Sequence, residues 1–239
     1  MEVPTLDPVR DYAHRVAMYD MDRTITRSGT YSGFLMHVAR RRQQWRLLLL
    51  PLVALAAAAY SLRLIDRSRL KAINLRLLVG KSFHRAEIAP LAESYADQVI
   101  ARGVHAAALD QIAADRAAGY RVLLATASFH LYVDAIARRL GIDDVLATRL
   151  DAPDGADHIH ARLAGDNCYG AVKFARIGEW LADNAITRED AHIRAYSDHV
   201  SDHPMLGFAD EAVATTPSRA LKKLAPQRGW AVVDWRQKT

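Results

Sequence analysis

Asp20-Met21-Asp22-Arg23-Thr24 follows directly on the apolar run 16–19, so a short strand ends in two carboxylates two residues apart. Side chains at i and i+2 of a strand point the same way, and both can face one reaction centre as the strand runs out into its loop. One carboxylate would attack phosphorus while the other moves protons, splitting a hard hydrolysis into two easier displacements through an acyl-phosphate. Taken alone, the motif has a second reading, a strand end whose Asp and Thr cap the following turn. Three further segments come in the order phosphate chemistry needs. Residues 121–126 form a second apolar run with a helical pattern over 131–140 behind it; there the Thr126 hydroxyl and the backbone amide of Ala127 suit a phosphate oxygen. Lys173 opens the amphipathic stretch 174–181 and offers a compact positive charge to a phosphoryl dianion and to an ionised nucleophile. Residues 193–198 read as a strand leading to Asp198 and Asp202, hard oxygen donors that beside a phosphate argue for magnesium. Singly, Thr126 reads as a helix cap, Lys173 as a solvated helix residue and the two aspartates as turn formers. All four segments in sequence argue against coincidence.

On these motifs the chain resembles the haloacid dehalogenase superfamily, and within it the phosphoserine-phosphatase-like subfamily IB. The resemblance covers about two thirds of the chain, everything except an insert over 29–102. It implies Asp20 as nucleophile and metal ligand, and Asp22 as general acid/base with its carbonyl on the metal. It likewise implies Thr126 as phosphate ligand, Lys173 as charge stabiliser, Asp198 as metal ligand, and Asp202 as support for the metal shell or the lysine. Two departures stand out. Arg23 replaces a glycine often found in the first motif, and Ser197-Asp198-His199 replaces the usual Gly-Asp-Ser or Gly-Asp-Gly.

The elements that must position these residues alternate. Strands are expected over 16–20, 122–126, 193–198, 212–215 and 231–235, with helices around 105–118, 131–140, 204–209 and 218–224. Such alternation produces an α/β fold with a doubly wound parallel sheet, whose ligands sit at the carboxyl ends of the strands. The catalytic core is then 1–28 with 103–239, and 29–102 an inserted α-helical cap. Residues 145–165, with the turn-forming 151–155, read as a small β-hairpin. The single cysteine, Cys168, allows no internal disulfide and reads as a small packing residue in a reducing compartment. The first long apolar run begins only at Leu47, so no secretory signal is expected and the active site is placed in the cytoplasm.

The insert is lopsided. From 23 to 65 there are seven arginines and no acid, whereas the formal total is +5, so the rest of the chain sums to −2. Inside it, 47–62 is uncharged; sixteen helical residues reach about 24 Å, short of the roughly 30 Å hydrocarbon core. A transmembrane crossing is therefore not expected. Two readings stay open: a buried cap helix with solvated arginines, or an interfacial segment over 40–65 lying peripherally on the inner face of the cytoplasmic membrane. The seven arginines favour the second. Nucleic acid is not expected as a partner, because the basic residues neighbour a greasy run rather than stacking aromatics. His158 and His160 read as a surface pair, and His199 and His203 as second-sphere or substrate-facing groups rather than ligands of a second metal. The oligomeric state is not legible.

The expected activity is thus a Mg²⁺-dependent phosphomonoester phosphatase working through an aspartyl-phosphate. The insert resembles that of bacterial phosphatases of lysophosphatidic acid and phosphatidylglycerophosphate, which implies a lipid phosphate. The alternative is a small soluble metabolite such as phosphoserine. Against it, phosphoserine enzymes usually carry a Glu nine residues after the nucleophile, and that position here is Gly29. From another class, a catalytically idle membrane-associated adaptor fits the insert but leaves the six retained polar residues unexplained.

Overall fold

Period-two burial on both sides is what makes the central strand central. In β1 (His14–Tyr19), Ala17 and Tyr19 join one apolar cluster while Val16 and Met18 join another on the opposite face. The computed structural model describes residues 12–153 and 157–236. Segment 29–102 holds α1 (Thr30–Arg42), α2 (Leu50–Ser61), α3 (Arg67–Leu78), the short β2 (Ser82–His84) and α4 (Arg85–Arg102). Then follow α5 (Ala106–Ala117), β3 (Arg121–Phe129), α6 (His130–Leu140), β4 (Asp144–Thr148), β5 (His158–His160) and α7 (Ala171–Asp183). The chain ends with β6 (Ala191–Ser197), α8 (His203–Phe208), β7 (Glu211–Thr215), α9 (Arg219–Gln227) and β8 (Ala231–Val233).

Six strands form one sheet in the order β4-β3-β1-β6-β7-β8, and every neighbouring pair is parallel. This is the expected doubly wound α/β fold. The chain runs from β1 outward to β3 and β4 on one side, then crosses to β6 on the other. The switch point, and with it the crevice for a ligand, therefore lies at the carboxyl end of β1. Segment 29–102 leaves and rejoins the sheet side by side: Thr26 and Val104 form an antiparallel bridge, and the Arg27 amide donates to the Gly103 carbonyl at 2.7 Å.

The expected hairpin over 145–165 forms around Leu150 and Leu163, an antiparallel bridge flanked by the Asp151 amide on the Arg162 carbonyl at 2.9 Å and the Ala164 amide on the Arg149 carbonyl at 3.0 Å, while the strands on either side of it find other partners. β4 is a core strand parallel to β3, and β5 pairs antiparallel with β2 of the insert, Phe83 opposite Ile159. Local alternation looks the same whether a strand's partner is its neighbour in sequence or lies far away, and only the long-range pairing separates the two cases. Part of the expected turn, 154–156, lies outside the described residues.

The apolar run forms a continuous helical stretch with the residues before it, a tight 3₁₀ segment Gln44–Leu49 leading into α2. Pro51 is accommodated in the first turn of α2, where its missing N–H costs no hydrogen bond. Together Gln44–Ser61 is 18 residues of mean hydropathy 1.3, of which only 6% are buried. By length and composition alone it can span a membrane, at about 30 Å for these helix types, where the sixteen uncharged residues alone fell short. Its exposed side chains include Trp45, Leu48, Leu52, Leu55 and Tyr60. The helix is therefore not the interior of an ordinary cap.

Candidate active site

Asp20 leaves β1 bound to β6, its amide donating to the Tyr196 carbonyl at 3.0 Å. Thr24 then joins two of the motifs: its hydroxyl donates to Asp20 Oδ2 at 3.2 Å and accepts the Asp198 amide at 3.0 Å. Between them the chain makes a wide irregular turn, Met21–Ile25, in which Arg23 has φ +66°. This left-handed conformation gives a physical reason for the glycine that the resemblance expects there, since an L side chain in it costs about 1–2 kcal/mol.

Lys173, from the first turn of α7, is buried rather than solvated. Its Nζ donates to Asp20 Oδ1 at 2.7 Å and to Asp202 Oδ2 at 2.8 Å. Asp202 also accepts the Ser197 hydroxyl at 2.7 Å, while its Oδ1 is buried without a partner. Asp202 thus serves the lysine directly. The Asp22 carboxylate is fixed at both oxygens. Thr30 donates to Oδ1 from its amide at 2.6 Å and its hydroxyl at 2.7 Å, and Ser128 donates to Oδ2 at 2.6 Å.

Thr126 and Ala127 were expected at a strand-to-helix junction, and the structure corrects the local reason. β3 continues to Phe129 and α6 begins at His130, so neither residue lies at the helix N-terminus. Instead the register between β3 and β4 shifts between Ala125 and Phe129, a bulge that takes 126–128 out of the ladder. Thr126 Oγ1 accepts the Ser128 amide at 3.1 Å, and the Ala127 carbonyl faces Lys71 of α3.

These groups line one cavity of about 450 Å³ at the carboxyl ends of β1, β3 and β6. Tyr31, Tyr60, Arg67 and Lys71 of the insert border it as well. Burial pushes the Asp20 carboxyl up to about 7; Lys173 opposes the rise, and Asp202 and Asp198 add to it. Burial, with Asp202 close by, pushes Asp198 up to about 6. Burial alone would lower the Lys173 ammonium, but Asp20 and Asp202 outweigh it and hold it above the usual lysine range. Two neighbouring carboxylates raised in this way are the electrostatic condition that a divalent cation relieves. No cluster of three or more His, Cys, Asp or Glu side chains able to hold a metal occurs among the described residues. Two carboxylates with a backbone carbonyl and open positions suit magnesium, which keeps several of its waters.

His199 borders the cavity with Nδ1 bound to the Ser201 hydroxyl at 2.9 Å, whereas His203 is exposed and bonds the Val200 carbonyl. Cys168 is buried, its amide on Thr148 Oγ1. Thr30, Ser128 and Lys71 were not singled out from the sequence, since nothing local marks them.

The sequence model for haloacid dehalogenase-like hydrolases matches residues 17–207, a range holding all the site residues above. A phosphoserine phosphatase of Mycobacterium tuberculosis is 34% identical over 167 residues, 68% of this chain and 51% of that protein. The chain spans about half the length of the curated relatives it matches. A crystal structure of a Bordetella pertussis protein of unknown function superposes with a TM-score of 0.84 at 25% identity, covering 93% of this chain and 99% of that one. A phospho-aspartyl intermediate analogue of phosphoserine phosphatase superposes with a TM-score of 0.61 at 16% identity, covering 94% and 95%, and shares the fold. The family match spans most of the chain and holds every site residue, and the chain belongs to the haloacid dehalogenase-like hydrolases.

Proposed function

We propose that the chain is a phosphomonoester phosphatase acting through an aspartyl-phosphate at Asp20. The observation that carries this is Lys173 held between Asp20 and Asp202 beside an Asp22 whose two oxygens are both fixed. Asp20 attacks phosphorus as the ester P–O bond breaks, and Asp22 delivers a proton to the departing oxygen. Asp22 then takes a proton from the water that opens the acyl-phosphate and frees Asp20. Thr126 and the 126–128 bulge receive the phosphoryl oxygens, and Lys173 balances their charge. Asp20, Asp198 and the Asp22 carbonyl would hold Mg²⁺, which supplies charge neutralisation at the phosphoryl group. In this reading 29–102 is a cap over a core of 1–28 and 103–239.

Asp20→Asn tests the proposal. A folded variant without turnover is expected, together with inhibition of the wild type by beryllium fluoride and magnesium. Near wild-type hydrolysis by a folded Asp20→Asn protein would refute it, and a wild type that releases no phosphate would leave the idle adaptor. Asp22→Asn is expected to lose about 10²–10⁴-fold.

A lipid phosphate, reached from the inner face of the cytoplasmic membrane, is the finer reading. It is supported by the exposed apolar side chains over 45–64 and by Tyr60, which borders the cavity. The relative that is a phosphoserine phosphatase supports the soluble alternative. Gly29 borders the cavity where that reading wants a carboxylate. A panel of soluble and lipid phosphates separates them.

A further inference from the structure

We propose that Lys71 selects phosphomonoesters that carry a second anionic group on the leaving-group side, an inference that rests on the phosphatase reading above. Lys71 reaches the cavity from α3 and is only 6% exposed. Its Nζ donates to the Ala127 carbonyl at 2.6 Å and to Asn167 Oδ1 at 2.8 Å, and lies 4.2 Å from the centre of the Phe129 ring. Both acceptors are neutral. Among the described residues it has no carboxylate partner, in contrast to Lys173, which has two. An ammonium carries three N–H donors, so a third remains for a ligand.

Burial lowers the Lys71 ammonium to about 7, and Arg67 adds to the fall. A buried cation without a counter-ion favours an anion beside it. The transferred phosphoryl group already has Lys173 and Thr126 on the core side. Attacking and leaving oxygens lie roughly in line, so a leaving group expelled from Asp20 departs toward the insert, where Lys71 is. Apart from the four site aspartates, no carboxylate borders the cavity among the described residues, whereas Arg23, Arg67 and Lys71 do. That wall suits a carboxylate or phosphodiester, and it offers an ammonium group no carboxylate beyond the catalytic ones, only neutral acceptors such as Asn74 Oδ1, which is buried without a partner.

Three esters isolate the effect. Glycerol 3-phosphate and 3-phosphoglycerate differ by a hydroxymethyl against a carboxylate, and O-phosphoserine replaces the hydroxyl of the latter by an ammonium. The wild type is expected to prefer 3-phosphoglycerate to both in kcat/KM, by about 10- to 100-fold over glycerol 3-phosphate, the size of one charged hydrogen bond. Lys71→Met is expected to erase that preference through KM, with a clearly smaller loss on p-nitrophenyl phosphate, which carries no second anionic group, than on 3-phosphoglycerate. Equal losses on all esters would make Lys71 a structural latch between insert and core and overturn the assignment. So would a wild type that does not distinguish 3-phosphoglycerate from glycerol 3-phosphate, a comparison that needs no variant. A wild type that hydrolyses none of the esters removes the phosphatase reading and this inference with it.

Discussion

Ser128 donates its hydroxyl to Asp22 Oδ2 at 2.6 Å across 106 residues of chain, and so the bulge of β3 fixes the side chain that is to move protons at the end of β1. Thr30 holds the other oxygen from the start of α1. Asp22 is therefore oriented jointly by core and insert. Ser128→Ala is expected to lower kcat about tenfold with little change in KM, because one charged hydrogen bond is lost while Thr30 keeps its grip. Steady-state kinetics on a chromogenic ester measure this; an unchanged kcat would show that Asp22 needs no such fixing.

Lys173 is surrounded by carboxylates, and its removal strands them. Lys173→Met is expected to destabilise the fold by about 3–5 kcal/mol at neutral pH, since Asp20 and Asp202 would stay buried without their cation. The loss should shrink in mild acid, where the stranded carboxyls take up protons. Urea unfolding at the two pH values reads both effects, and a loss independent of pH would count against an electrostatic origin.

Much of this site is legible in the sequence because each motif is local. Asp20 and Asp22 end an apolar run, as does Asp198, and Lys173 heads an amphipathic helix. The parallel, doubly wound sheet follows from strands alternating with helices. What escapes is whatever long-range pairing decides. Ser128 looks like any serine near a helix start until the β3–β4 register shift aims it at Asp22. Lys71 sits among six other lysines and arginines between 63 and 85, and only burial distinguishes it. β4 opens the hairpin segment but takes β3 as its partner across a whole helix, a pairing that local alternation does not reveal.

Magnesium should stabilise the protein in a pH-dependent way. Asp20 and Asp198 rise from 3.8 to about 7 and about 6 on folding. Through that window the metal-free folded protein holds protons that the unfolded chain has released. Their contribution to stability therefore falls as pH rises and is lost above about 7. A cation bound to the ionised pair replaces those protons. Millimolar Mg²⁺ is thus expected to raise the melting temperature more near pH 8 than near pH 5.5, and Asp198→Asn should abolish the difference. His37, His105 and His199, lowered mainly by burial, act with the opposite sign, so the comparison is between melts with and without the ion at each pH. Equal shifts at both pH values would place the ion elsewhere.

Recruitment to an anionic membrane should depend on leucines more than on the whole run of arginines. Arg42 is bound to Glu87 and the Val79 carbonyl, and Arg46 to the Arg76 and Leu77 carbonyls, so both hold the insert together. Arg40 and Arg63 remain exposed for lipid phosphates, each worth about 1 kcal/mol near a charged leaflet. The apolar contribution comes from Leu48 and Leu55, 79% and 66% exposed, with Leu52 beside them. Leu48→Gln, Leu52→Gln and Leu55→Gln combined are expected to abolish cosedimentation with anionic liposomes while sparing hydrolysis of a soluble ester, because these side chains do not border the catalytic cavity. Arg40→Gln with Arg63→Gln should weaken binding in a salt-sensitive way without unfolding the insert. If the wild type fails to bind anionic vesicles even at low salt, the exposed helix serves some other contact and the lipid reading fails.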